Sequence, residues 1–269
     1  MPLSVAAAHP QMGVAYTHGS PSRLLQTLAI ASNGSLYVWG GNSFKQLGDG
    51  TSVAAATPKA ISPGANWTAI ATHTDISCGI LSNYTLWCDS PLFSSWWWPP
   101  YLLERTEAHA RPSKRAPARP RRCWGTGAYP ASALPQKAVF TTCGTNADAL
   151  TVGVGADHVC LLTTTGSVMC WGSNAFSQVG NNATVTKTAP ILVSPDIDWA
   201  ALSVGSYHTC ALKVNGSLSC WGKGADYALG TNRTANAVVP TRINGTWTSV
   251  SCGDKHTCAT DAAGLLWCW

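Results

Sequence analysis

Four pairs of cysteines stand ten positions apart: Cys78 and Cys88, Cys160 and Cys170, Cys210 and Cys220, Cys258 and Cys268. Between the arms of the third pair lies Val214-Asn215-Gly216. Glycine there suits a three-residue hairpin loop, a type I turn closed by a left-handed glycine. Such a loop pairs Lys213 with Ser217 and, counting outward, sets Cys210 opposite Cys220. Directly opposed residues on antiparallel strands are close enough for their sulfurs to join. The chemistry expected is therefore a disulfide that staples a hairpin. Leu28 and Val38 stand where a fifth pair would be, and joint loss is what bonded partners show. Zinc is a weak reading, since no C-x-x-C clip occurs anywhere. Cys123, Cys143 and Cys252 remain; Cys143 and Cys252 could pair, but no feature of the sequence selects that bond.

Two further patterns bear on chemistry. His158, His208 and His256 each precede a paired cysteine by two residues, with Ile76 in the second copy. A recurring histidine suits a metal or an acid–base role, or a ring hydrogen-bonded inside its own unit; the last is the expectation here. N-x-[ST] acceptors occur at Asn33, Asn66, Asn83, Asn182, Asn215, Asn232 and Asn244, seven of the twelve asparagines. Disulfides and glycan acceptors both imply an oxidising, extracellular or cell-surface setting. Paired carboxylates, G-x-S-x-G, a P-loop and H-E-x-x-H are all missing, so no catalysis and no cofactor is expected. Asp49, Asp157, Asp226 and Asp254 fall in predicted turns.

The elements that position these residues repeat. Trp follows the second cysteine position at Trp39, Trp171, Trp221 and Trp269, and Gly follows at Gly40, Gly172 and Gly222. Trp67, Trp199 and Trp247 precede their pairs by eleven residues, as packing between units or as a peptide or carbohydrate platform. Gln46-Leu47-Gly48 and Gln178-Val179-Gly180 follow their hairpins, with Leu229-Gly230 a looser match. Leu218 and Cys220 alternate with Ser217 and Ser219, the period of a half-buried strand. Asn83-Tyr84 replaces Asn-Gly in the second unit, which predicts a distorted turn.

The period is about fifty residues, broken once: Cys88 to Cys170 is 82. Residues 89–123 hold seven of the 17 basic residues and both glutamates. Removing those 35 residues joins Cys88 to Trp124-Gly125 and restores the rhythm. Charge and period mark the same segment as a basic, Pro/Arg-rich insertion without structure, a retained intron, or an ordinary long loop. The remaining body is nearly neutral, so the net charge of +5 argues for no nucleic-acid surface. Charged residues are only 11% against ~25% in typical domains, yet no apolar run is long enough to span a membrane.

The unit, with G-x-x-H-[TV]-C, C-W-G and Q-[LV]-G in order, resembles the repeat of the regulator of chromosome condensation family. It is most similar to the cysteine-bearing version in extracellular proteins, including CRINKLY4-type receptor ectodomains. Kelch repeats share the period but require a repeated Gly-Gly, seen here only at Gly40-Gly41. The resemblance covers residues 24–88 and 124–269, with 1–23 as a degenerate or truncated first unit. It implies an all-β fold, a β-propeller with disulfide-stapled hairpins, incomplete because too few units are present for seven blades. The expected role is an extracellular module that binds a protein or glycan partner. Alternatives are a fragment of a receptor-like kinase ectodomain, or an intracellular regulator acting in guanine-nucleotide exchange or on chromatin.

Overall fold

A computed structural model describes residues 12–14, 26–43, 45–73, 76–89, 136–137 and 149–269. Most of the first unit, residues 90–123 of the predicted insertion, Cys123 and Cys143 lie outside the described residues.

Among the described residues, five antiparallel sheets follow one another. Blade I holds β1 (Met12–Val14), β2 (Gln26–Ile30), β3 (Leu36–Gly40) and β4 (Ala55–Ile61). Blade II holds β5 (Trp67–His73), β6 (Ile76–Leu81), β7 (Leu86–Asp89) and β8 (Gln136–Lys137). Blade III holds β9 (Ala149–Val154), β10 (His158–Thr163), β11 (Val168–Gly172) and β12 (Lys187–Leu192). Blade IV holds β13 (Trp199–Val204), β14 (His208–Lys213), β15 (Leu218–Gly222) and β16 (Ala237–Ile243). Blade V has three strands, β17 (Trp247–Cys252), β18 (Thr257–Asp261) and β19 (Leu266–Cys268).

The middle hairpin of each blade has one register. Cys78 faces Cys88, Cys160 faces Cys170, Cys210 faces Cys220 and Cys258 faces Cys268, and in blade I Leu28 faces Val38. In every cysteine couple the sulfurs lie at disulfide distance and the Cα atoms are 4.1 Å apart. The loop sets this register. The Lys213 N–H donates to Ser217, and the Gly216 N–H donates back to Lys213. Gly216 closes the turn at φ 80°, a conformation that costs a side-chain-bearing residue about 1–2 kcal/mol. In blade II Tyr84 adopts it instead, at φ 62°, and its N–H still bonds Leu81. The turn expected to distort keeps its shape, with the strain carried by one exposed tyrosine.

The core lies between blades. Trp67, Trp199 and Trp247 are buried, each in a cluster shared with the preceding blade. Their rings fill the blade junctions and offer no platform. Their backbone N–H groups donate to the carbonyl of that blade's turn glycine: Trp67 to Gly34, Trp199 to Gly166, Trp247 to Gly216, at 2.8–3.0 Å. A Cβ at Gly166 would stand 2.2 Å from the Ile197 carbonyl oxygen, so the turn glycine also lets the next blade approach.

Candidate binding face

Strand direction assigns every loop to one of two ends. The turns between first and second strands share an end with the connectors from third to fourth strands. The hairpin turns and the links between blades share the other.

At the first end His158 and His208 are buried and their bonds leave the blade, whereas His256 is exposed. His158 Nε2 is 2.9 Å from the Thr209 hydroxyl of blade IV, and His208 Nε2 is 2.9 Å from the Thr257 hydroxyl of blade V. Each hydroxyl spends its proton on a connector carbonyl, Thr209 on Gln178 and Thr257 on Ala228. The histidine is therefore the donor, neutral and protonated at Nε2. Burial, then neighbouring histidines, push His158 down to about 3; burial, then His256, push His208 down to about 4. Blade I runs the same relay with other groups: the Gln26 side-chain amide donates to the Ser77 hydroxyl, which donates to the Gln46 carbonyl. Between blades II and III both polar partners are replaced at once, by Ile76 and Val159, which share one apolar cluster. The expectation of a ring bonded within its own unit is corrected: a hydroxyl from the next blade is clamped by two groups of the blade before. The glycine of G-x-x-H makes room, since a Cβ at Gly205 would lie 2.3 Å from the His208 ring.

Connector loops depend on residues that the sequence reading passed over. Asn42 and Asn174 are fully buried two positions after the Trp-Gly pair. Asn174 Oδ1 accepts from the Val179 N–H, and its amide donates to Ala183, Val185 and Asn181. Asn42 does the same for the Gln46–Gly48 loop, with Asp49 among its acceptors. Lys59 also bonds Asp49, and these partners, working against burial, hold its carboxyl down at about 2. The signal is present in the sequence as W-G-x-N, two positions beyond the C-W-G motif.

On top of these connectors sits a mixed cluster. Phe176 and Tyr207 meet edge to face at 5.5 Å, and the Lys223 ammonium lies 4.9 Å and 5.2 Å from their rings. The Lys223 N–H donates to the Tyr207 carbonyl, and the Ser173 N–H to that of Asp157, which locks turns to connectors. Burial, then the carboxylates of Asp157 and Asp254, raise the Tyr207 hydroxyl. Half-buried aromatics around a cation, rimmed by acids, make a surface suited to polar protein contacts.

Among the described residues one group approaches metal-ligand geometry, His208, Cys210 and Cys252. The Cys210 sulfur lies at bonding distance from that of Cys220, and His208 Nε2 is engaged by Thr257, which leaves Cys252 without co-ligands. Cys252 is a free thiol that burial pushes up to about 11.

All seven N-x-[ST] asparagines are exposed. Asn33, Asn83 and Asn215 cap hairpin turns through their side-chain oxygens, and Asn66 and Asn244 lie in links between blades. Five acceptors thus crowd the end opposite the aromatic cluster, while Asn182 and Asn232 sit on connectors. Among the described residues no helix is long and apolar enough to cross a membrane.

Sequential four-stranded antiparallel blades, packed face to face through repeated tryptophans, define a β-propeller protein assembled from units of about fifty residues. Residues 33–80, 165–212 and 215–260 match the Regulator of chromosome condensation (RCC1) repeat, as do 151–178 and 199–227 in a second description of it. Together these cover more than half of the chain, which belongs to the RCC1 repeat family. Human WBSCR16 is similar in structure, with TM-score 0.68 and 19% identity over 88% of this chain and 55% of its own. Prp20p from Saccharomyces cerevisiae is similar at TM-score 0.68 and 19% identity, over 90% of this chain and 54% of its own. The CRINKLY WD40 ectodomain of the Arabidopsis thaliana receptor kinase ACR4 is similar at TM-score 0.52 and 18% identity, over 96% of this chain and 70% of its own. The chain spans about half the length of the first two. These likenesses establish the fold alone.

Proposed function

We propose that this chain is a protein-binding propeller segment of an extracellular or cell-surface protein, without catalytic chemistry. Its contact face is the end that carries Phe176, Tyr207 and Lys223. One observation carries the reading: every glycan acceptor is exposed, and five of seven lie at the opposite end. Glycans there shield one end, and the connector end carries only Asn182 and Asn232. The four cysteine couples support the same compartment, because stable disulfides belong to oxidising surroundings. The likeness to the ACR4 ectodomain supports a place within a longer receptor. Expression through a secretory pathway tests this. Mass spectrometry without reductant is expected to find the four cysteine couples linked and Asn33, Asn66, Asn83, Asn215 and Asn244 glycosylated. Free thiols and bare asparagines would overturn it. They would favour a second reading, supported by the likeness to Prp20p, a protein studied for its binding to Gsp1p and histones: an intracellular regulator that binds protein partners.

A further inference from the structure

Three Asn-Gly pairs occur in the chain: Asn33-Gly34, Asn215-Gly216 and Asn244-Gly245. This dipeptide has a chemistry of its own. The glycine nitrogen attacks the asparagine side-chain carbonyl, because no side chain on the second residue stands in the way. A C–N bond forms, ammonia leaves, and a five-membered succinimide results. Water then opens the ring at either carbonyl and gives aspartate or isoaspartate. No oxidant or cofactor enters, and the product carries one new negative charge. The attack needs a glycine N–H that is free and an amide that can swing onto it.

Two of the three pairs are held away from this reaction. In blade I the Gly34 N–H donates to the Ala31 carbonyl at 2.9 Å, and in blade IV the Gly216 N–H donates to that of Lys213 at 3.0 Å. Asn33 Oδ1 accepts from the Ser35 N–H at 3.1 Å, and Asn215 Oδ1 from the Ser217 N–H at 3.0 Å. The glycine carbonyls are held as well, by the backbone N–H groups of Trp67 and Trp247. Nucleophile, electrophile and the peptide that follows are all fixed by the hairpin turn and the next blade.

The third pair lies outside a hairpin. Asn244 and Gly245 belong to the link from β16 to β17, and both are exposed. Among the described residues, neither the Gly245 N–H nor the Asn244 side chain makes a hydrogen bond. The link is short and its two ends are anchored. Ile243 and Trp247 are buried in one cluster at the junction of blades IV and V. A Cβ on Gly245 would stand 3.1 Å from Trp247 Nε1, so the indole lies alongside the reacting peptide. Isoaspartate at 244 would add a methylene to the main chain between these two anchors.

We propose that Asn244 is a self-modification site, converted through a succinimide with Gly245 to aspartate and isoaspartate, while Asn33 and Asn215 persist. The conversion destroys the Asn244-Gly245-Thr246 glycan acceptor and sets a carboxylate on the link. It follows from the local hydrogen bonding alone and is independent of the compartment proposed above. Each protected pair must first give up two hydrogen bonds of ordinary net strength, so Asn244 should react roughly ten- to thirtyfold faster.

The full chain exported to a bacterial periplasm forms disulfides without N-glycans and serves as the sample. It is aged at mildly alkaline pH in oxygen-labelled water, and peptides around the three asparagines are compared by mass. Labelled acid should accumulate first at Asn244. In reductant and urea the turn bonds are gone, and the three sites should react at similar rates. Asn33 or Asn215 converting as fast as Asn244 in the folded chain would overturn the proposal, as would an Asn244 that stays inert until urea is added. Thermal unfolding reads the effect on the link. The midpoint of the wild type should fall on ageing and that of Asn244→Gln should hold, because glutamine must close a larger ring. Equal falls in both proteins would show that the damage lies elsewhere.

Discussion

Blades I and IV carry the same hairpin with different chemistry. Blade IV ties Cys210 to Cys220, while blade I sets Leu28 against Val38, in identical register. All four residues are buried, at 0% in blade IV and 2–3% in blade I. The turn and the alternating burial therefore specify the hairpin, and sulfur is added to a geometry that already exists. The clamp across the junction teaches the same lesson: Gln26 and Ser77 do in blade I what His208 and Thr257 do in blade IV.

The largest test of this equivalence is at the Trp that follows the second cysteine position. Trp221 is fully buried and bonds the Gln178 carbonyl, whereas Trp39 is half-buried. Trp221→Ala should lower stability by about 3–5 kcal/mol in denaturant titration, and Trp39→Ala by less than half as much. Equal losses would show that the two junctions are packed alike. Next comes the staple. Replacing Cys210 and Cys220 together by Ala should cost about 2–3 kcal/mol. Introducing cysteines at Leu28 and Val38 should form a bond and recover a similar amount, because the register is already in place. Failure of that bond to form in the oxidised protein would separate the two hairpins after all.

The junctions also differ in their response to acid. The folded pKa values of His158 and His208 lie near 3 and 4, below the unfolded value of 6.5. Between these limits the unfolded chain binds more protons, so stability falls as pH drops from 6.5 towards 4. Thermal midpoints should fall across that window and flatten when both histidines become glutamine, the residue blade I already uses at position 26. A wild-type midpoint independent of pH from 7 to 4 would contradict the buried neutral rings. The smallest effect is at the second turn. Tyr84→Gly should raise stability by about 1 kcal/mol, by relieving a left-handed tyrosine that the other hairpins avoid with glycine.

Much of this was legible in the residues. Ten positions around a glycine-closed loop specify which cysteines face each other, since strand geometry has a period of two and the turn counts the rest. Trp67, Trp199 and Trp247 were readable as packing between units from their recurrence alone. The Phe176, Tyr207 and Lys223 cluster was not, because its members come from three loops, two of them joined to different blades, and share no spacing. Asn174 is marked only by W-G-x-N, while its partners lie five to eleven residues away along an irregular connector.

By itself the sequence determined the unit, its hairpin register and its buried stripe, all of which are set by contacts within about fifty residues. Only the tertiary structure decided the partners of His158 and His208 and the side of the propeller on which the asparagines gather. Those depend on which surfaces successive blades turn towards one another, and hydrogen bonds across a junction join residues about fifty positions apart that carry no mark of the pairing until the blades are stacked.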